Sequence, residues 1–384
     1  MIETTAPDPR IYGVLAEAGF GAELFNARQH RCCELVDRYA LEHATMLLGA
    51  LEVDALLREA QAVDGLMEAR GFAQAFRRPL AWLCRFLAHA GVLSATDARY
   101  RLVRPLPPPA LVEVRDAVLE TDASYAPALA LLDEAAAIYP RVARGETSGE
   151  RALFLRARLW ADYFDNANGY YGLTNRVAAS AAAARLPEGA RVLEVGAGLG
   201  SATSALLGEA TVAERLGAYR VTEPVPFFRR RAERTLAAAH PGVPLVFGEL
   251  DVNQPWAAQG VAAAGCDLVW GVNVMHLARD LDGALREARA ALASGGWLVL
   301  GEGLRPGPEI PVAAELPFQL LESFADVVTD PERRPTAGFL TAEAWLAALR
   351  RAGFEDVALV PDAIRLRALV PAFLAAAVIG RRRR

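Results

Sequence analysis

The sequence has 384 residues, of which 53% are hydrophobic and 23% charged, and its formal net charge is −5. The length predicts two or three domains, and the composition is typical of a globular protein with a sizeable core, which excludes a mainly disordered chain. The negative net charge also argues against nucleic acid as an obligatory partner.

The four cysteines, Cys32, Cys33, Cys84 and Cys266, contain no C-x-x-C pair. This spacing argues against a disulfide framework and against a metal site. The first ten residues are polar and proline-rich, unlike a secretory signal peptide, and no apolar run reaches the ~18 residues that a membrane span needs. We therefore expect a reduced, cytoplasmic protein with neither a metal nor a membrane partner.

The first hundred residues fall into two parts. Residues 1–22 predict a loose arm. Residues 23–108 predict three helices followed by a short hairpin that turns at Thr96-Asp97, which is the outline of a winged helix. A winged helix can bind DNA or serve as a dimerisation and substrate-lid module. The helix before the hairpin offers only Arg85 and His89 to base edges, where a recognition helix presents several such side chains. We therefore favour the second role, with a homodimer as one outcome.

Residues 109–185 predict a helical linker and lid, with a break near Tyr139-Pro140. Across residues 186–384, short runs rich in β-branched residues alternate with helical patterns, which is typical of a parallel sheet with crossover helices. The predicted fold class is therefore α/β, with an all-helical or winged-helix domain before the sheet.

A glycine-rich turn follows the first strand of this sheet. Residues 191–195 predict a buried strand that leads into Gly196-Ala-Gly198-Leu-Gly200 and then into a helix of small residues. In that setting, glycines permit a tight turn and let a ligand approach the backbone closely. A dinucleotide motif needs its third glycine at position 201, which is a serine here. The spacing instead resembles the first motif of class I S-adenosylmethionine-dependent methyltransferases, while a doubly wound domain for another nucleotide stays open.

The later strands end in the polar residues that such a methyltransferase needs. Strand two ends at Glu223, strand three leads to Asp251, and strand four leads to Asn273. Two final strands, 354–360 and 372–380, complete a seven-stranded Rossmann-like sheet with a closing antiparallel pair. The resemblance implies that S-adenosylmethionine is held by Glu194, Gly196, Gly198, Gly200, Glu223, Asp251, Val252 and Asn273.

Four stretches sharpen the resemblance: Tyr219-Arg-Val-Thr-Glu-Pro-Val-Pro-Phe-Phe, Leu250-Asp-Val-Asn-Gln-Pro, Asn273-Val-Met-His and Leu298-Val-Leu-Gly-Glu. They are similar to the methyltransferase domains of polyketide synthases, above all to the C-methylating ones and their freestanding relatives. The resemblance covers roughly residues 155–380. It implies a natural-product enzyme that methylates a small-molecule or carrier-protein-bound acyl substrate.

His276 lies just past strand four and Glu302 just past strand five, at the carboxyl edge where open α/β sheets bind ligands. These strands are neighbours in the methyltransferase strand order, about 4.8 Å apart, so the two side chains can touch. A carboxylate on one imidazole nitrogen fixes the tautomer and leaves the other nitrogen to take a proton. The resemblance implies that His276 is the base and Glu302 its orienting partner. The alternative is a structural histidine and a surface glutamate.

Candidate lids precede and follow the predicted core. Tyr170, Tyr171 and Asn175 lie where this family folds a lid helix over the cofactor, and the proline-rich segment 304–335 predicts a second lid. Trp160, Tyr163 and Phe164 are candidates for the acceptor pocket or for plain packing. The terminal run 381–384 predicts a solvated arginine tail.

Two functional alternatives remain open. An O-methyltransferase acting on a hydroxyl shares the base with a C-methyltransferase, so the sequence does not separate them. The other alternative is a non-catalytic winged-helix regulator that binds S-adenosylmethionine.

Overall fold

The structure is a computed structural model, and it describes residues 4–383. Residues 1–3, at the start of the predicted arm, and Arg384, at the end of the predicted tail, lie outside the described residues. Between residues 4 and 383, no helix combines the length and the apolar character that a membrane crossing requires.

The predicted loose arm contains a helix, α1 (Ile11–Glu17). Its side chains Ile11, Val14 and Leu15 are buried in one core cluster with Phe373. The prediction was wrong here because the apolar spacing of so short a helix indicates little by itself. The partner that buries it comes from the far end of the chain.

Helices surround a small antiparallel sheet in the next segment. The elements are α2 (Ala27–Ala50), β1 (Gln61–Ala62), α3 (Val63–Arg70), α4 (Arg77–His89), β2 (Leu93–Thr96) and β3 (Arg99–Leu102). The strand order is β1-β3-β2. The β2–β3 hairpin turns at Asp97 and Ala98, which both have positive φ, 49° and 57°. The predicted hairpin is therefore present, and the winged-helix interpretation stays a prediction.

Five further helices separate this segment from the large sheet. They are α5 (Leu111–Thr121), α6 (Ala126–Ala143), α7 (Gly149–Phe154), α8 (Ala157–Tyr163) and α9 (Gly172–Ala183). Helix α6 continues through Pro140, so the break predicted there was wrong. Pro140 lies in the last turn of α6, where its missing amide costs one hydrogen bond and the buried Tyr139 and Val142 keep the turn packed.

The large sheet occupies the rest of the chain. Its strands are β4 (Ala190–Glu194), β5 (Leu216–Thr222), β6 (Leu245–Gly248), β7 (Cys266–Val272), β8 (Leu292–Arg305), β9 (Leu340–Thr341), β10 (Glu355–Val360) and β11 (Ala375–Arg381). Its helices are α10 (Ser201–Leu207), α11 (Val212–Arg215), α12 (Pro226–Ala239), α13 (Leu281–Ala291), α14 (Glu315–Phe318), α15 (Ala342–Arg351) and α16 (Ala363–Leu369).

Seven strands run in the order β10-β11-β8-β7-β4-β5-β6, and β11 is antiparallel to both of its neighbours. The predicted Rossmann-like sheet with its closing antiparallel pair is thus confirmed. The short β9 adds an eighth strand, which pairs with the end of β8. Strands β4 and β7 lie at the centre and are parallel, so their carboxyl ends open at the same edge.

Side chains alternate across the central strands. Leu268 and Trp270 belong to one core cluster, and Val269 between them belongs to the cluster on the opposite face. A third cluster joins the N-terminal helices to residues of the 312–324 segment. Because both faces of the sheet are buried, the carboxyl edge is where polar side chains can meet a ligand.

The prediction of a solvated arginine tail was wrong for two of the described residues. Arg381 ends β11. The backbone of Arg382 pairs with Gly295 and Gly296, and its guanidinium donates to the carbonyl oxygen of Ala290 at 3.0 Å. These backbone groups, at the end of α13 and in the first residues of β8, provide the partners that the sequence did not reveal.

Candidate active site

The glycine turn joins β4 to α10 and leaves its backbone open to a ligand. Gly196, Gly198 and Gly200 have φ values of 63°, 56° and 85°, in the region that favours glycine. A Cβ atom on Gly196 would lie 2.3 Å from Cγ2 of Val274, whereas one on Gly198 would meet no heavy atom within 4 Å. Gly196 is therefore fixed by packing, and Gly198 faces open space.

The buried carboxylate of Glu223 follows β5 and holds this turn in place. Its Oε2 accepts the backbone N–H of Gly198 at 2.9 Å, and its Oε1 accepts that of Val225 at 2.8 Å. Burial raises the pKa of Glu223, and the two backbone N–H groups work against this shift. Each oxygen keeps a lone pair, so the carboxylate can accept a hydroxyl group of a ligand in addition.

Glu194, the last residue of β4, lies behind the turn and does not line the cavity. Its Oε2 accepts hydrogen bonds from Thr203 Oγ1 at 2.7 Å and from Tyr219 OH at 2.6 Å. Burial raises its pKa to about 7. The cofactor contact expected for Glu194 is thus replaced by a supporting role, since its carboxylate joins β4, β5 and α10.

Asp251 and Val252 lie in the loop after β6 and line the cavity. Oδ1 of Asp251 accepts the backbone N–H of Asn253 at 2.9 Å. The Gln259 side chain accepts from the Asp251 N–H at 2.8 Å and donates to its carbonyl oxygen at 2.9 Å. These bonds fix the loop and leave Oδ2 of Asp251 available to a ligand.

Asn273 follows β7 and connects it to β8. It adopts a positive φ of 52°, its Oδ1 accepts the Gly303 N–H at 3.0 Å, and its own N–H donates to the Gly301 carbonyl at 2.7 Å. Burial raises the pKa of Tyr171 to about 12, and a contact with the Asn273 side chain works against this shift. Asn273 thus positions the strand ends and meets the predicted lid.

His276 and Glu302 are in direct contact, as the sequence predicts. Glu302 is fully buried on β8, and its Oε2 lies 2.7 Å from Nδ1 of His276. The other oxygen, Oε1, accepts the backbone N–H of Met275 at 3.0 Å. His276 sits in a 3₁₀ turn, Met275–Leu277, just after β7. Because a carboxylate only accepts, Nδ1 carries the proton and the lone pair lies on Nε2.

Two aromatic rings pack against the His276 imidazole. The ring centroids of Phe339 and Phe324 lie 4.9 and 5.9 Å from it in edge-on arrangements. His276 is only 3% exposed, yet it borders the cavity, and within residues 4–383 its Nε2 has no hydrogen-bond partner. The free nitrogen is therefore available to a ligand in the cavity.

One cavity of about 500 Å³ connects the glycine turn to His276. The predicted site residues that line it are Gly196, Gly198, Glu223, Asp251, Val252, Asn273, His276, Tyr170 and Tyr171, together with the aromatic candidates Trp160, Tyr163 and Phe164. Four predicted residues do not line it: Glu194, Gly200, Asn175 and Glu302. A ligand held at the turn and a second ligand beside His276 would therefore share one cavity.

Asn175, predicted as a lid contact, is fully buried on α9 and supports the lid from behind. Its Nδ2 donates to Oδ1 of Asn166 at 2.8 Å, and Nδ2 of Asn166 donates to the Ser201 carbonyl at 2.7 Å. The pair joins the loop before Tyr170 to the first residue of α10.

Two arginines that the sequence analysis did not single out support the site. Both lie in segment 304–335, the predicted second lid. Arg334 is 5% exposed, donates to the carbonyl oxygens of His276 and Ala278, and has a pKa lowered by burial to about 10, partly restored by the charge of Glu302. Arg305 pairs with the buried Glu315 at 2.5 Å. Nothing in the sequence separates Arg305 and Arg334 from the many other arginines of the chain. Their burial in the folded structure does.

The Glu315 carboxylate also connects this lid to the N-terminal helices. Its Oε2 accepts the indole N–H of Trp82, on α4, at 2.9 Å. Arg78, at the start of α4, donates to the carbonyl oxygens of Gln319 and Leu321, both at 2.8 Å. These contacts anchor the second lid on the N-terminal helices.

Comparisons with known proteins agree with this geometry. A family described as "Methyltransferase domain" matches residues 193–298, which span the glycine turn, Glu223, Asp251 and His276. In structure, the chain is similar to the CurJ carbon methyltransferase (TM-score 0.80, 22% identity, 98% of each chain) and to the DszA carbon methyltransferase (TM-score 0.73, 23% identity, 99% of this chain and 97% of that one). At these identities the likeness shows the fold.

The chain is a class I S-adenosylmethionine-dependent methyltransferase.

Its curated relatives are much longer proteins. The methyltransferase is 30% identical over 313 residues to polyketide synthase ThaG of Burkholderia thailandensis. The aligned region covers 77% of the methyltransferase and 5% of ThaG. It is 37% identical over 166 residues to fumosorinone synthetase of Cordyceps fumosorosea, covering 43% of the methyltransferase and 4% of that relative. The chain thus spans about a twentieth of the length of these relatives.

The residues at the turn fit S-adenosylmethionine. Open space above Gly198 admits a ligand against the backbone, and the carboxylates of Glu223 and Asp251 both face the cavity with acceptor capacity to spare for hydroxyl and amino groups. When bound, the cofactor supplies a methyl group that is already activated on a sulfonium. The protein then has to orient the acceptor and take up its proton.

Within residues 4–383, no group of three or more His, Cys, Asp or Glu side chains is arranged to hold a metal ion.

Proposed function

We propose that the methyltransferase methylates the acidic α-carbon of a β-ketoacyl thioester, free or bound to a carrier protein, in polyketide-type biosynthesis. The observation that carries this proposal is the buried pair of His276 and Glu302, with Nδ1 and Oε2 at 2.7 Å, beside the cavity that also contains the glycine turn. The similarity to a segment of polyketide synthase ThaG supports the acceptor class.

His276 acts as the base in this proposal, and Glu302 orients it. Nε2 takes the proton from the α-carbon, while Glu302 holds Nδ1–H and stabilises the positive charge that develops on the ring. The electron pair left on the α-carbon forms the new bond to the methyl carbon, and the bond from that carbon to sulfur breaks with its electrons going to sulfur. Glu302 does not take up the proton. The proton removed from the α-carbon stays on Nε2 of His276 and is released from there after the methyl transfer.

The aromatic surroundings of His276 favour this chemistry. Phe324 and Phe339 pack against the imidazole, and Phe318 stacks on Phe324 with centroids 5.5 Å apart. They keep water away from the base, which protects an enolate from reprotonation. Asn273, which borders the same cavity, is positioned to donate from its Nδ2 to an acceptor carbonyl.

Paired acceptors test the proposal. The protein is incubated with S-adenosylmethionine carrying a deuterated methyl group and with a β-ketoacyl N-acetylcysteamine thioester, its 3-hydroxyacyl counterpart, or a β-ketoacyl thioester with two methyl groups already on the α-carbon. We expect label on the α-carbon of the first compound alone, located by fragment mass spectrometry. Label on the oxygen of the hydroxy compound would overturn carbon methylation and identify an O-methyltransferase.

A further inference from the structure

One carboxylate in the cavity belongs neither to the cofactor turn nor to the His276 pair. Asp37 lies on α2, one helical turn after Cys33, and both side chains line the cavity. Asp37 is partly buried. Within residues 4–383, its carboxylate has neither a hydrogen bond nor an ion pair.

The other charged residues of the cavity all have partners or an assigned place. Glu223 and Asp251 lie at the cofactor turn, where backbone N–H groups hold them. Arg279 and Asp326 form an ion pair at 3.2 Å, and both side chains are about 60% exposed at the rim. Asp37 is thus the carboxylate left over on the side of the cavity that the N-terminal helices close.

Asp37 lies close to the lid. Tyr170 borders the same cavity, and its pKa is raised by burial and, next, by the charge of Asp37. Burial raises the pKa of Asp37 to about 7, and the neighbouring Glu34 carboxylate adds to the shift. A carboxyl group that loses water without gaining a partner costs free energy, and a donor on a bound ligand removes that cost.

We infer that Asp37 is a specificity-determining residue that accepts a hydrogen bond from the methyl acceptor. The ligand chemistry is a hydroxyl, amine or amide N–H group, and it has two sources: the acyl chain itself or the pantetheine arm that carries it as a thioester. The identity of the acceptor as a thioester rests on the proposed function. The hydrogen bond itself depends only on the place of Asp37 in the cavity.

The cofactor part of the cavity makes this inference specific to the acceptor. Glu223, Asp251 and the glycine turn already provide the polar groups on the cofactor side, as described above. Asp37 enters the cavity instead from α2, among the N-terminal helices, and within residues 4–383 it makes no hydrogen bond to the glycine turn, Glu223 or Asp251. A change at Asp37 should therefore alter acceptor binding without altering cofactor binding.

Calorimetry on the full chain, loaded with S-adenosylhomocysteine, tests the inference. The probes are three thioesters with the same β-ketoacyl chain length: an S-ethyl thioester with a terminal hydroxyl, its methyl-terminated analogue, which has no N–H or O–H donor, and the methyl-terminated chain on pantetheine. The variants are Asp37→Leu, which keeps the size and removes the acceptor, and Asp37→Asn, which keeps one acceptor oxygen.

We expect Asp37→Leu to weaken one donor-bearing probe by about 10- to 100-fold, the typical effect of a hydrogen bond to a charged group. The methyl-terminated S-ethyl thioester, which has no donor, should bind unchanged, and Asp37→Asn should retain most of the affinity. Loss on the hydroxyl probe assigns the donor to the acyl chain, and loss on the pantetheine probe assigns it to the arm.

Two results would overturn the inference: equal weakening of all three probes by Asp37→Leu, or a wild-type protein that does not distinguish the donor-bearing probes from the plain one. Unchanged affinity for S-adenosylhomocysteine in both variants shows that they are folded. Because the readout is binding, a product methylated on oxygen would refute the proposed carbon chemistry and leave the role of Asp37 to be decided by these affinities.

Discussion

Arg334 is bound to the backbone of His276: its guanidinium donates to the carbonyl oxygen of that residue and, at 2.9 Å, to that of Ala278. The 3₁₀ turn that carries the imidazole is therefore fixed from the second lid as well as by Glu302. A side chain that lies more than fifty residues along the chain thus determines where the proposed base points.

Replacing Arg334 should lower catalysis without affecting cofactor binding. In Arg334→Met, the two carbonyl oxygens lose their donors and the turn shifts, and a misplaced base costs about 10- to 100-fold in kcat. Arg334→Lys restores one donor and part of the rate. Steady-state kinetics with calorimetry of S-adenosylhomocysteine measures both quantities. The matched control is Arg333→Met, since the Arg333 side chain is exposed and its guanidinium lies 3.9 Å from the Asp282 carboxylate. Equal loss in the control would contradict this role.

His276→Ala should reduce single-turnover methyl transfer at least ~100-fold, the typical contribution of a positioned general base, while the dissociation constant of the cofactor stays nearly the same. Glu302→Gln should also be slow, because a glutamine amide can donate to Nδ1 and so place the ring proton on Nε2. The double variant should be no slower than His276→Ala, since the two residues act as a unit. Additive losses, or an equal loss in cofactor affinity, would indicate a structural role, and His240→Ala is the control.

Glu223→Ala should weaken the cofactor first. The carboxylate holds the Gly198 amide and has acceptor capacity for a ligand hydroxyl, so we expect the dissociation constant to rise by about 10- to 100-fold, the range of hydrogen bonds to a charged group. Calorimetry with S-adenosylmethionine measures it. Glu249→Ala removes a nearby exposed carboxylate, which lies 3.5 Å from Arg229, and should have no effect. A normal constant in Glu223→Ala would remove the assignment.

Two glycines of the turn should respond differently to alanine. At either position, placing alanine in a left-handed backbone conformation costs about 1 kcal/mol of folding free energy. Gly196→Ala also drives a methyl group into Val274, so its free energy of unfolding should fall further. Gly198→Ala meets no protein atom, so it should fold well and instead lose cofactor affinity. Urea unfolding and calorimetry separate the two effects, and the reverse pattern would contradict the open face of Gly198.

The buried Glu194 should make stability depend on pH. Its pKa of about 7 lies above the ordinary 4.5, so between these values the folded protein keeps a proton that the unfolded chain releases. The free energy of unfolding therefore falls as the pH rises through this range, by about 3 kcal/mol at most. Glu194→Gln has no proton to lose, and its stability relative to wild type should increase from pH 5 to pH 8 in urea titrations. A constant difference would refute the shift.

Local patterns were sufficient for the sheet and for the proposed catalytic pair. The glycine turn could be predicted because strand, glycines and helix are contiguous, and His276 and Glu302 could be paired because neighbouring parallel strands bring their ends together. The strand order brings the two side chains within reach of each other, and the structure shows the contact.

Features that depend on distant packing could not be predicted. Helix α1 is buried by residues near the other end of the chain. In the sequence, Arg334 is indistinguishable from the other basic residues, 41 in all, and only the fold shows that it is buried. Glu194 occupies a motif position, yet its carboxylate turns to Tyr219, because the strand β5 that carries this tyrosine packs beside β4. Sequence spacing gives the place of a residue on an element, and the direction of its side chain depends on the neighbouring elements.

Glu315 accepts from the indole of Trp82 on one side and from the guanidinium of Arg305 on the other. Excising the N-terminal helices would strip away the indole and expose the apolar surface of the 312–324 segment to water. We therefore expect that the sheet cannot be cut out as an autonomous catalytic module. Heating the intact chain should give a single cooperative melting transition that both regions share.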